Sequence, residues 1–482
     1  MQRRQLLKAS GLASLNAVIP SARAAGQPSP ISPEMLTLST YMSEAAARGL
    51  PDPAAEQAKF HIIDTLAAII SGSKLLPGQS AFNYITKHAA KGDRTVMAST
   101  LTAGPVDAAL ANGVMGHADE TDDSHGRSRS HPGCAVVPAA FAAGEHFEID
   151  GKRFLHAVTL GYDVGTRVLM AMGGPTFSYE SHKSSHSIAG VFGAAAAAAC
   201  AAGLNAQQMR WVLDYTAQQS SGIAAWGRDV DHIEKAFVFG GMPARSGVTS
   251  ALLVHTGWTG IDDIFSGASN FFMAYAPDAK PALLVDKLGE RFEIALTDIK
   301  KWTVGSPIQG PLDAIELIRM KRPFELSEVK HVATRLGPAA AKVVDNRDIP
   351  DICLQHMVAI MLIDKTASFA AAHDVARMKD PEVLRQRAKV ELVKDESLSA
   401  LLPVRVAIVE ITLNDGTVLS ERVEAVRGTP RNPMTKSEVI AKSRDLIEPI
   451  LGSSKTNRLI DTVFKIESVS NIQALRPLVQ TS

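Results

Sequence analysis

From Ser32 to about Asn270, apolar residues recur every three to four positions, the spacing of a helix face turned toward a core. "SPEMLTLSTYMSEAAARG" opens with Ser32 as a cap, Pro33 in the first turn and Glu34 beside it, and its expected stop is Gly49. "DPAAEQAKFHIIDTLAAIISG" repeats the arrangement, with Asp52 as cap, Pro53 next, apolar Phe60, Ile63, Ala67 and Ile70, and Gly72 as the stop. Four later segments, "PVDAALANGVMGHA", "CAVVPAAFAAGEHF", "IAGVFGAAAAAACAAGL" and "PARSGVTSALLVHTG", are rich in alanine and poor in β-branched residues. Small side chains let helix axes approach closely, so this pattern predicts a compact, largely buried helical bundle.

The texture changes near Pro277. "RFEIALTDIKKWTV" and "EVKHVATRLG" read as strands, and "VRVAIVEITLNDGTVLSERVEAV" as a hairpin turning at Asn414-Asp415-Gly416. "LDAIELIRMK" and "CLQHMVAIMLIDKTASFAAA" between them read as helices. This stretch is therefore expected to be an α+β unit. Helices return at "TKSEVIAKSRDLIEPILG", where Thr435 and Glu438 form a capping box. The expected fold is mainly α with an α+β insert. Its boundaries fall at 29–276 for the helical bundle, 277–432 for the insert, and 433–482 for a helical tail that rejoins the bundle.

Composition narrows the partners. Of 482 residues, 50 are Lys or Arg and 50 are Asp or Glu, so the formal charge is zero. That balance argues against nucleic acid, which needs a basic surplus, and leaves any anionic ligand to a local cluster of cations. Cys134, Cys200 and Cys353 are far apart, with no zinc-knot or disulfide spacing. Arg3 and Arg4 precede a modest apolar run and the small-residue site Ala22-Arg23-Ala24, the order of a twin-arginine signal over residues 1–28. Export to the periplasm is the expectation, with a cytoplasmic location the alternative. No other stretch is apolar for a membrane's width without glycine or charge, so no membrane association is expected.

The chemistry concentrates in "GHADETDDSHGRSRSHPG", Gly116 to Gly133, which holds four acids, three histidines and two arginines between two apolar segments. A metal site, a solvated loop and proton-transfer chemistry are the three readings. For metal, Asp119, Asp122, Asp123, His117, His125 and His131 offer ligands, but their spacing fits no compact helical motif. Against a solvated loop, charges between buried helices are costly unless paired or used. For proton transfer, a base removes a proton next to a carboxylate, an acid assists the leaving group, and nearby cations hold the resulting charge.

The segment "ANGVMGHADETDDSH…HPG…VVPAA" resembles the N-H-x-x-D-[FY]-D-D-T-H…H-P-[SG]…P-A signature of the MmgE/PrpD family. "GYDVGTRV", "SHSIAGVFGAAAAAACAAGL", "EKAFVFGGMPARSGVTSALLVHTGWTGIDDIFSG", "KKWTVGSPIQGPLDAI" and "VRGTPRNPMT" are similar to its later blocks, in order, over roughly residues 35–475. That family includes a 2-methylcitrate dehydratase, a cis-aconitate decarboxylase and an iminodisuccinate epimerase. The resemblance implies a helical domain made from both chain ends, a smaller α+β lid, a homodimer, and neither metal nor other cofactor. It also implies a di- or tricarboxylate enclosed between bundle and lid.

Position by position, the resemblance puts Glu120 at the family's first aspartate, Asp122 and Asp123 at the following pair, and Ser124 where threonine is usual. His131 is the histidine of the "HP" pair, and Lys235 the lysine before the glycine-rich block. His182 and His186 flank the place of a further family histidine. The segment "KKWTVGSPIQGPLDA" has no tyrosine, although the decarboxylase branch is expected to use one there; Trp302, Ser306 and Gln309 occupy it. The expected activity is a cofactor-independent dehydratase or hydratase of a hydroxy-polycarboxylate. An epimerase on related acids and a non-catalytic carboxylate-binding protein are the alternatives. His131 is the expected acid or base, oriented by Asp122 or Asp123. Lys235 and Arg245 steady carboxylates, with Arg228 and Arg127 behind them, and Ser124 bonds substrate or fixes the loop.

Overall fold

A computed structural model describes residues 30–401 and 405–481. The leader expected over residues 1–28 lies outside the described residues. The described chain is mostly helical, with a four-stranded mixed sheet and a two-stranded one formed by β1 (Arg94–Thr95) and β2 (Thr102–Ala103).

Local rules place most elements. Ser32 accepts a hydrogen bond from the Met35 amide and starts the Pro33–Glu44 helix, which ends before Gly49. The next helix is Asp52–Gly72, so Asp52 is its first residue and Pro51, not Asp52, its cap. Thr435 and Glu438 form the capping box that opens the kinked Lys436–Phe464 helix.

Apolar side chains sort into two large cores. One gathers residues from Met35 to Ile299 and again from Met434 to Val479. The other runs from Trp302 to Val426. The chain's last long helix thus packs along Asp52–Gly72, where Lys442 Nζ meets Asp64 Oδ1 at 2.6 Å. At the centre of the first core, the alanine-rich Ser185–Ala202 helix packs on Gly133–His146, Gly151–Ala171 and Met242–His255. By length and composition it could cross a membrane, but 94% of it is buried inside the protein. Alanine supplies the close contact there that larger side chains would block.

The second core lies against a sheet of β3 (Val329–Leu336), β4 (Val390–Lys394), β5 (Ala407–Leu413) and β6 (Val418–Val423), in the order β4-β3-β5-β6. Only β3 and β4 run parallel. The hairpin turn holds Gly416 at φ 86°, left-handed backbone that a β-carbon disfavours. Val409, Ile411 and Leu413 point inward, and the Ser306–Lys321 helix packs on β5 and β6.

One expected strand is absent. Residues 291–304 form a 3-10 turn at Glu293–Leu296 and a single bridge between Ser124 and Asp298. Their alternating apolar side chains serve two cores instead of one sheet face: Ile294 and Ile299 join the first, Trp302 and Val304 the second.

Candidate active site

The acidic-histidine loop joins the Pro105–Gly116 and Gly133–His146 helices, and both ends are set by close packing. A β-carbon on Gly240 would stand 2.0 Å from the Gly113 carbonyl oxygen, so only glycine lets the π-helical turn Phe237–Gly241 rest against Pro105–Gly116. That contact sets Phe239 beside two histidine rings, stacked on His117 at 4.5 Å and on His186 at 3.9 Å between centroids. The loop is not solvated: Asp122 and Asp123 are fully buried, Glu120 is 6% exposed and His131 9%.

Asp122 lies between two of the rings. Its Oδ2 meets His117 Nδ1 at 2.9 Å, and its Oδ1 is 3.2 Å from His131 Nδ1. Burial pushes the Asp122 carboxyl upward, but the two rings outweigh it and hold it well below the ordinary range. Burial holds the His117 pKa below its ordinary value, so we assign it as a neutral ring donating Nδ1–H to a carboxylate. His131 Nδ1 stands at ion-pair distance from Asp122 without a formed hydrogen bond, and that approach leaves Nε2 for chemistry.

Opposite stand Glu120 and two lysines. Lys235 Nζ bonds Glu120 Oε1, and Lys300 Nζ donates to the Glu120 carbonyl at 2.7 Å. Lys300 is also 3.7 Å from both Glu120 Oε2 and Asp122 Oδ1. Burial raises the Glu120 carboxyl, yet Lys235 and then Lys300 carry it well below its usual value. Lys235 is 5.5 Å from the Phe239 ring centroid. His131 also faces this ring, at 5.7 Å. His131, Asp122, Glu120, Lys235 and His186 therefore form one buried cluster, with His186 5.1 Å from His131 between centroids.

Asp123 has different partners. Its Oδ2 accepts from His61 Nδ1 at 2.9 Å and the Tyr162 hydroxyl at 2.5 Å, and its Oδ1 accepts from the Gly133 amide at 3.0 Å. It caps the Gly133–His146 helix, which leaves the neighbouring His131 side chain free of that task. Of the two candidates for orienting His131, Asp122 is the one in contact. Lys442 Nζ bonds the Thr121 carbonyl at 3.0 Å, and Asp119 Oδ2 meets His373 Nε2 at 2.9 Å, so both cores grip the loop.

The other predicted residues spread out. Ser124 is buried, and its backbone pairs with Asp298. His182 is exposed on left-handed backbone, whereas the buried His186 is the histidine in the cluster. Arg127 pairs with Glu293 at 3.2 Å. Arg228 is exposed at the end of a 3-10 turn, and Arg245 exerts its charge on Tyr84. Burial, with the Asp122 and Asp123 charges, pushes the Cys134 thiol well up, so it is not a thiolate. Trp302 donates Nε1–H to Asp313 at 2.9 Å and Gln309 binds the Trp302 and Val304 carbonyls; both fasten the start of the Ser306–Lys321 helix.

Four groups escaped the sequence reading as site residues. Lys300 falls in a segment that reads only as a strand and as the start of a family block. His232 had no motif at all. Arg129, its guanidinium 3.7 Å over the Tyr179 ring, and Arg405, whose charge reaches Glu120, add positive potential near the cluster. Among the described residues, two donor sets could hold a cation, His117 with Asp122 and Cys134, and His117 with Glu120 and His232, each with its atoms within 4.8 Å. The first relies on a thiol that stays protonated, and the second on a carboxylate already neutralised by lysine; neither favours a metal.

The MmgE/PrpD N-terminal domain model matches residues 36–284 and the C-terminal domain model residues 302–467, so the chain belongs to the MmgE/PrpD family. Among curated relatives, it is 25% identical to a cis-aconitate decarboxylase of Aspergillus terreus, covering 91% of this chain and 94% of that one. It is 24% identical to the human cis-aconitate decarboxylase, over 89% and 91% of the two chains.

Proposed function

We propose that this protein is a lyase that removes water from a hydroxy-tricarboxylate or carbon dioxide from an aconitate-like one, with His131 moving the proton. The carrying observation is the Asp122–His131 pair set in the same buried cluster as Lys235 and Glu120. Either reaction leaves negative charge next to a carboxylate, and the lysines supply the compensating field. His131, steadied at Nδ1 by Asp122, exchanges a proton with the reacting carbon or the departing oxygen through Nε2. Loss of carbon dioxide is favoured by the relatives' names. Loss of water is favoured by the absence of a tyrosine between Lys300 and Asp313. The sheet-bearing core acts as the lid in this reading, because it delivers His373 to the loop and Lys300 lies just before it. The arginine pair near the amino terminus sets the activity in the periplasm, which fractionation of expressing cells tests.

The deciding experiment incubates pure protein with cis-aconitate, citrate, isocitrate and 2-methylcitrate in deuterated water, followed by NMR. Loss of carbon dioxide with deuterium entering the product identifies a decarboxylase, and loss of water a dehydratase. Turnover of none of these acids, or turnover unchanged in His131→Asn, would sink the reading.

A further inference from the structure

His232 reaches the site on backbone that a β-carbon disfavours, with φ 65° and ψ 6° at the start of the Ile233–Ala236 turn. The side chain so placed is 8% exposed, and its Nε2 has no hydrogen-bond partner among the described residues. Its ring centroid is 5.3 Å from that of His117. One nitrogen of each ring and a Glu120 oxygen lie within 4.8 Å of one another, so the His232 ring borders the cluster that holds the lysines. Burial above all, then the Lys235 charge, presses its pKa down to about 3, and the ring is neutral near pH 7. A neutral imidazole keeps one N–H, adds no charge to a cluster whose charges are already matched, and bonds more strongly as charge grows on the atom it faces. A strained backbone and an unsatisfied buried nitrogen are both expected of a group shaped for a ligand.

We propose that His232 contacts the substrate directly, donating from Nε2 to the carboxylate oxygen on which negative charge accumulates during the reaction. The proposal rests on the carboxylate-lyase reading and adds a second imidazole to it, one that binds charge and carries no proton.

Two variants test it. His232→Asn keeps a side chain that tolerates left-handed backbone and a shorter amide donor; His232→Gly removes the ring and relieves the backbone. Turnover of the acid that the wild type processes is measured as kcat, KM and pH profile. Affinity for propane-1,2,3-tricarboxylate, a saturated probe, is measured by calorimetry. His232→Gly is expected to melt no lower than wild type, to lose about 100-fold in kcat and to bind the probe more weakly. His232→Asn should recover part of the kcat loss and keep the wild-type acid limb. Turnover and probe affinity of His232→Gly within twofold of wild type overturn the proposal. So does an acid limb that shifts in His232→Asn, which would make the ring a proton carrier. A stoichiometric divalent metal in the wild type that His232→Gly loses also overturns it, by making the ring a ligand. If the wild type processes no acid but binds the probe, and His232→Gly does not, the lyase reading fails while the contact stands. Equal binding, or binding by neither protein, ends the proposal.

Discussion

Two halves of one loop use the same residue types in opposite ways. Around His125, both nitrogens of the ring are partnered. His125 Nδ1 meets Ser128 Oγ at 2.7 Å and its Nε2 meets Glu293 at 3.2 Å, while Arg127 and Arg291 close on the same carboxylate. Around Asp122, His117 Nε2, His186 Nδ1 and His232 Nε2 are buried with no hydrogen-bond partner among the described residues, and Asp122 Oδ1 and His131 Nδ1 approach each other without a hydrogen bond. Burial and charge are common to both halves and so do not distinguish them. What differs is completeness at the imidazoles: a buried polar atom without a partner costs stability, and a folded chain keeps several together where a ligand will pair with them. In the proposed reading the His125 half is scaffold, and the Asp122 half takes the substrate.

The sharpest test of that contrast is His131→Asn, expected to lower kcat by about 10²–10⁴-fold with a melting temperature near wild type. A variant that melts far lower would move His131 into the scaffold half. Glu293→Ala is the counterpart. It strands His125, Arg127 and Arg291, and urea unfolding should show a loss of about 3–5 kcal/mol, with kcat per folded molecule retained.

Next in size is His373→Gln. Burial lowers the His373 pKa, but its bond to Asp119, that residue's charge and that of Asp351 raise it to about 9. Burial pushes the Asp351 carboxyl up to about 7, so it adds its charge as pH rises through that value. Since the folded value of His373 exceeds the unfolded one, its contribution is complete below about pH 6.5 and is lost as pH climbs through 9. The upper bound is on the order of 3 kcal/mol. Wild-type stability should therefore fall between those pH values, and His373→Gln should flatten that fall; an unchanged slope would remove His373 from the account. On the acid side the sign reverses. His117, His186 and His232 are held neutral, chiefly by burial, so the unfolded chain binds more protons and stability drops as pH falls below about 6.5. The smallest effect is Arg127→Ala. With its side chain 43% exposed, its pair with Glu293 should contribute under about 1 kcal/mol and its loss should leave KM unchanged.

Sequence patterns were most informative where a rule is local. Caps at Ser32 and Thr435, the Asn414–Gly416 hairpin and the alanine-rich central helix follow from short-range preferences that the packing did not override. Residues 291–304 misled because alternation records burial on two sides, and a segment wedged between two cores has that property without a ladder. The strand β4 escaped notice because "VELVK" alternates charged with apolar residues in a run that also suits a helix. At the site, composition located the loop, but Asp122 and Asp123 are adjacent and identical in kind. Only the folded chain separates the one that touches His131 from the one that caps a helix. Lys300 and His232 arrive from distant segments, where no spacing relates them to the loop.

Lys442 has a consequence for the order of synthesis. It lies 321 positions beyond Thr121, whose carbonyl it holds. A nascent chain therefore has every acid and imidazole of the loop in hand long before the group that fixes the loop's path exists, and until then Asp64 faces the interior without its cation. The enzyme's own tail is the last part of its mould, and a chain truncated before that helix should emerge catalytically silent.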